Sequence, residues 1–98
     1  MDLPGLIARL DKQIRSAKRV PLTDQVRVEK EEMRSTLEEM RTEATRVGLT
    51  AALPPIAELD AAIGDALPVP LTDQVRLPRE NLEKIADEIR VRVSPAGN

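Results

Sequence analysis

The chain has 98 residues, of which 41 % are hydrophobic and 33 % charged, a net charge of −2, and no Phe, Tyr, Trp, Cys or His. A core must therefore be built from Leu, Ile, Val, Met and Ala, while disulfides, thiolate nucleophiles, zinc–thiolate sites and histidine acid–base chemistry are excluded. No apolar run approaches the roughly 20 residues of a membrane span, and no signal-peptide h-region opens the sequence. The expectation is a cytoplasmic protein, not an enzyme, with no cofactor and no metal.

Charge is unevenly placed. Residues 1–49 carry ten Lys/Arg against nine Asp/Glu, and residues 50–98 carry five against eight. Arg9, Lys12, Arg15, Lys18 and Arg19 make the first helical segment basic, and the segment 29–43 is acidic. A basic helix followed by an acidic one can pair with itself or with another copy.

The sequence repeats. A shift of 49 positions lays Val20-Pro-Leu-Thr-Asp-Gln-Val-Arg27 on the identical Val69–Arg76 and gives 17 identities over the 35 positions from 7 to 41. Unit one spans 1–47, a linker spans 48–55, unit two spans 56–93, and 94–98 reads as a disordered tail.

In chain order, Leu3, Leu6, Ile7, Leu10, Ile14 and Ala17 recur at three- and four-residue spacing, which predicts an amphipathic helix with Asp2 as its N-cap and Pro4 in its first turn. Then the period changes. Val20, Leu22, Val26 and Val28 alternate as in a single kinked strand, at an edge or with the missing N–H of Pro21 turned outward. A tight turn at Thr23-Asp24 that splits the segment is the alternative. Met33, Leu37, Met40, Ala44 and Val47 form a narrow seam on the next helix, which Gly48 ends. In unit two, Ile56, Leu59, Ile63, Ala66 and Leu67 predict a helix from Pro55 that stops before Pro68, weakened by Gly64. Val69, Leu71, Val75 and Leu77 repeat the strand. Pro78 then opens a helix with the stripe Leu82, Ile85, Ala86, Ile89 and Val93.

The fold class expected is α+β, mostly α: two pseudo-symmetric helix–strand–helix repeats that pair through a short two-stranded ribbon. Near-identical segments with open strand edges pair readily about a two-fold axis. The self-pairing residues are Val20, Leu22, Val26, Val28, Val69, Leu71, Val75 and Leu77. Pairing within one chain is favoured over pairing between chains.

Candidate chemistry is sparse. The Glu-rich helix lacks the His that a di-iron carboxylate site uses, so Glu31 and Glu38 read as charged flanks of the seam. Asp24 and Asp73 sit beside Thr23 and Thr72, where an Asp at a bend bonds its own backbone. Arg27 and Arg76 fall opposite in phase to the apolar strand face, as possible contacts to a partner or to nucleic acid.

Two resemblances follow. Val75-Arg-Leu-Pro-Arg-Glu-Asn-Leu-Glu-Lys-Ile-Ala86 is similar to the strand-to-helix junction of ribbon–helix–helix repressors, which implies strands entering a DNA groove. Ala17-Lys-Arg-Val-Pro-Leu-Thr-Asp-Gln-Val-Arg-Val28 and Glu31-Glu-Met-Arg-Ser-Thr-Leu-Glu-Glu-Met-Arg41, with Val69–Leu77 and Leu82–Arg90, resemble the N-terminal module of actinobacterial DivIVA/SepIVA-like septal coiled-coil proteins. That resemblance spans both units. It implies a self-associating module in tandem copy, without the coiled-coil rod, with a link to cell division. The functional expectation is a non-enzymatic assembly or adaptor protein whose partner is protein, itself or a larger assembly. A ribbon-type DNA-binding regulator and a structural subunit of a larger particle are the alternatives.

Overall fold

In the computed structural model, which describes residues 2–93, the Asp2 carboxylate accepts from the Gly5 amide at 2.9 Å and opens helix α1, Leu3–Arg15. Capping there satisfies an amide that has no partner inside the helix. The chain continues through β1 (Lys18–Arg19), β2 (Gln25–Glu29) and α2 (Lys30–Arg46). After a short 3-10 turn at Thr50–Ala52 come α3 (Leu53–Asp65), β3 (Leu67–Pro68), β4 (Gln74–Pro78) and α4 (Arg79–Val93). The described residues form an α+β domain of four α-helices and one four-stranded antiparallel sheet in the order β1-β2-β4-β3.

The helices bury the faces that their periodicity marks. Leu6 and Leu10 from α1, Met33, Leu37 and Met40 from α2, Ile56, Leu59 and Ile63 from α3, and Leu82 and Ile89 from α4 are essentially inaccessible. α2 packs on α1 and α3, α3 on α4, and α4 back on α1. Aliphatic side chains contribute about 1.5–3 kcal/mol each when fully buried, so this joint core holds the two halves together. The seam of α2 ends at Ala44: Val47 is exposed, and the buried threonine Thr36 joins the stripe instead. Gly48, with φ +80°, closes α2 in a Schellman arrangement, its amide on the Thr45 carbonyl and the Leu49 amide on the Ala44 carbonyl.

Three expectations need correction. The segment 48–55 is not simply a linker: the 3-10 turn runs directly into α3 at Leu53, because Pro54 and Pro55 occupy first-turn positions where no amide donor is needed. Leu67 does not extend the helical stripe; it lies in β3, 60 % exposed. The repeated octapeptide is not one kinked strand. It folds back at Val20–Thr23 and again at Val69–Thr72, so the ribbon gains an outer strand on each side and becomes a four-stranded sheet. Val20, Leu22, Val69 and Leu71 therefore lie outside the strands. The tail 94–98 falls outside the described residues.

β2 and β4 pair antiparallel within the chain, with Val26 opposite Leu77, Arg27 opposite Arg76 and Val28 opposite Val75. Exchanging each residue for its counterpart 49 positions away maps this register onto itself. Val26, Val28, Val75 and Leu77 are buried on the face toward the helices. Beyond the strands, the ladder carries on into the helix starts. The Lys30 amide bonds the Asp73 carbonyl and the Arg79 amide bonds the Asp24 carbonyl, both at 2.9 Å. Asp73 also accepts from the Glu31 amide through its carboxylate at 3.1 Å. Each unit's hairpin thus anchors the first turn of the other unit's second helix.

Candidate functional site

The two hairpin turns are built alike. Within each, the third residue of the P-L-T-D segment donates its amide to the carbonyl three residues back (Thr23 to Val20, Thr72 to Val69, both 3.2 Å). The same threonine's hydroxyl donates to that carbonyl at 2.8 Å and accepts from the amide of Gln25 or Gln74. Pro21 and Pro70 supply the fixed φ of the second turn position, and the third position requires positive φ, a site that favours glycine or asparagine. Leucine stands there in both copies: Leu22 at φ +65° and Leu71 at φ +67°. Both side chains are wholly exposed, at 102 % and 105 %. A non-glycine residue in this region is strained by about 1–2 kcal/mol, and nothing in the fold holds the leucine side chain in return. Strain without local compensation marks a candidate functional position. These positions, expected as strand residues, are instead the tips of two protruding turns.

The outer face of the sheet carries the second feature. Cross-strand register places Lys18, Arg27, Arg76 and Leu67 in one row. Arg27 and Arg76 are directly opposite, where like charges disfavour pairing. Arg76 is held by Gln25, its Nε and Nη2 donating to Gln25 Oε1 at 3.0 and 2.7 Å. The counterpart Gln74 turns away from Arg27 and donates to Glu29 at 2.6 Å. Pro78 stands where unit one has Glu29, so Gln25 meets no competing carboxylate.

Between α1, β2 and α2 lies a groove of about 620 Å³. On its wall, buried Thr36 accepts from Arg9 Nε at 3.1 Å and Gln13 Nε2 at 3.0 Å, and donates to the Glu32 carbonyl. Arg9 also pairs with Glu39 at 2.5 Å. The basic and acidic helices thus neutralise one another in part inside the chain. Elsewhere ion pairs tie helices together, Arg34–Asp60 at 3.0 Å between α2 and α3 and Arg90–Asp11 at 2.7 Å between α4 and α1. All are partly exposed, and such pairs contribute little each. Hydrogen bonding to Asp60, Glu38 and Glu43 raises the pKa of Arg34, Arg41 and Arg46, and the Arg46 bond holds the Glu43 carboxyl below its ordinary value.

Among the described residues, no cluster of three or more His, Cys, Asp or Glu could hold a metal ion, and no helix is long and apolar enough to cross a membrane. Comparison of the chain with family models, curated proteins and solved structures gives no match.

Proposed function

We propose that the protein is a non-enzymatic, self-associating assembly or adaptor protein of the cytoplasm, and that its two hairpin tips are points of attachment. The observation that carries this reading is the twin presentation of Leu22 and Leu71, each fully exposed at a strained turn position. One repeat would supply one apolar knob; the duplication supplies two in a fixed relation, which suits a bridging role. The likeness of both units to the DivIVA/SepIVA-like module supports the same reading, including a place in cell division.

Gel filtration with light scattering over a concentration series tests it. The wild-type chain should gain apparent mass with concentration, and Leu22→Gly/Leu71→Gly should lose most of that gain while keeping its helical circular dichroism. A wild type that stays monomeric at all concentrations, or a double variant that assembles as before, would refute the tips as attachment points.

A second reading is ribbon-type DNA binding, favoured by the opposed Arg27 and Arg76, neither of which has a carboxylate within ion-pair distance among the described residues. Duplex DNA titrated at low salt separates the two. Binding that falls steeply with salt and is abolished by Arg27→Ala/Arg76→Ala would favour the regulator over assembly.

A further inference from the structure

α1 and α3 keep the same apolar stripe but differ in charge. Arg9 corresponds to Glu58, Lys12 to Ala61, Gln13 to Ala62, Ser16 to Asp65 and Lys18 to Leu67. The first set surrounds the groove described above. The second leaves α3 without a single Lys or Arg, and its Glu58 and Asp65 are exposed with no ion-pair partner among the described residues. Equivalent surfaces of one molecule therefore carry opposite charge.

The groove is also incompletely satisfied. Three carboxylates line it and each is already held, Glu39 by Arg9, Glu29 by Gln74 and Glu32 by Gln13, whereas the lining cations Lys12, Lys18 and Arg27 have no carboxylate within ion-pair distance among the described residues. Three buried side-chain polar atoms lack a partner among the described residues, Gln13 Oε1, Arg27 Nε and Gln74 Oε1, and all belong to groove residues. Of these, Arg27 Nε is a donor that a carboxylate can satisfy, whereas the two glutamine oxygens are acceptors, which a carboxylate cannot satisfy. In unit two the matching guanidinium, Arg76, is already capped by Gln25.

We infer that the groove of unit one receives the acidic face of α3 from a second copy of the chain, so that copies join head to tail. Glu58 and Asp65 are seven residues apart on α3, which places them on one face about 10 Å apart along the axis. Their carboxylates would meet Lys12, Lys18 and the free end of Arg27. Each copy keeps one basic groove and one acidic helix unused at its ends, so the contact is heterologous and propagates as a ring or an open chain. This rests on the assembly reading and adds to the hairpin tips a second, electrostatic contact between copies.

Two charge-reversed variants test the inference: Lys12→Glu/Lys18→Glu, with a reversed groove, and Glu58→Lys/Asp65→Lys, with a reversed helix. All four positions are at the surface, and circular dichroism verifies folding. Each variant alone should associate on the order of tenfold or more weakly than wild type, as like charges now face one another. An equimolar mixture should regain association, because each variant supplies the surface that the other lacks. The regained association should weaken as salt is raised. If wild type associates but neither variant is impaired, or the mixture is not rescued, the head-to-tail contact is wrong while the assembly reading stands. If wild type does not associate at any concentration, the assembly reading falls and this contact falls with it.

Discussion

Replacing Leu22 and Leu71 with glycine should make the monomer more stable, although it removes two large apolar side chains. A left-handed backbone costs an L-residue about 1–2 kcal/mol. Glycine relieves that cost but adds roughly 0.4–1 kcal/mol of conformational freedom to the unfolded chain. Leu22 and Leu71 are 102 % and 105 % exposed, so no buried area is lost. The balance is about 0.5–1 kcal/mol per site and about 1–2 kcal/mol for the pair, since the turns sit at separate places and should add. For a domain of this size that amounts to a rise in Tm of roughly 4–16 °C, at 4–8 °C per kcal/mol. The chain has no Trp or Tyr to report on its packing. Urea unfolding followed by circular dichroism at dilute protein, where association contributes nothing, is therefore the suitable assay. A double variant less stable than wild type by more than about 0.5 kcal/mol would mean that the leucines make stabilising contacts in the folded monomer, or that the turns do not adopt the left-handed geometry.

Leu37 is 1 % exposed at the centre of the α2 seam, so Leu37→Ala should cost about 2–5 kcal/mol in the same unfolding assay; a loss well under 1 kcal/mol would place that seam outside the core. Asp73→Ala should cost about 0.5–2 kcal/mol through loss of its bond to the Glu31 amide. Asp24→Ala should cost clearly less, because only the Asp24 carbonyl is engaged with α4; equal losses would show that the Asp73 carboxylate does not cap α2.

The helices were legible because burial is periodic. Leu6, Leu10 and Ile14, or Leu82, Ile85 and Ile89, leave one apolar stripe that only a helix can bury together. The pairing of β2 with β4 was legible for a different reason: identical segments with open edges match one another. The turns were misread because Val20 and Leu22 continue the alternation of Val26 and Val28. Leucine gives no sign of the positive φ it occupies, and the usable signal was Pro21 two residues ahead of Thr23, proline at the second turn position with a hydroxyl to close the loop. The anchoring of α2 by Asp73 was out of reach, since a local bend explains an aspartate equally well. As for the candidate surfaces, Arg27 and Arg76 were singled out by phase alone. Arg27 is left uncapped because Gln74 bonds Glu29 instead, a competition that only three-dimensional placement reveals.

The ladder between β2 and β4 joins residues such as Arg27 and Arg76, 49 positions apart. While the chain is being synthesised, the first hairpin and α2 emerge with one edge of β2 still open. At about 5–20 residues per second, its partner strand follows some 2–10 s later. In that interval the exposed Val26-Arg-Val28 edge matches the same edge on every neighbouring nascent chain. Once β4 is made, it competes from within the molecule, tethered at an effective concentration on the order of millimolar. Duplication therefore frees sheet closure from the abundance of the protein. A single-unit ancestor would have had to find a second molecule before its central strand could be covered.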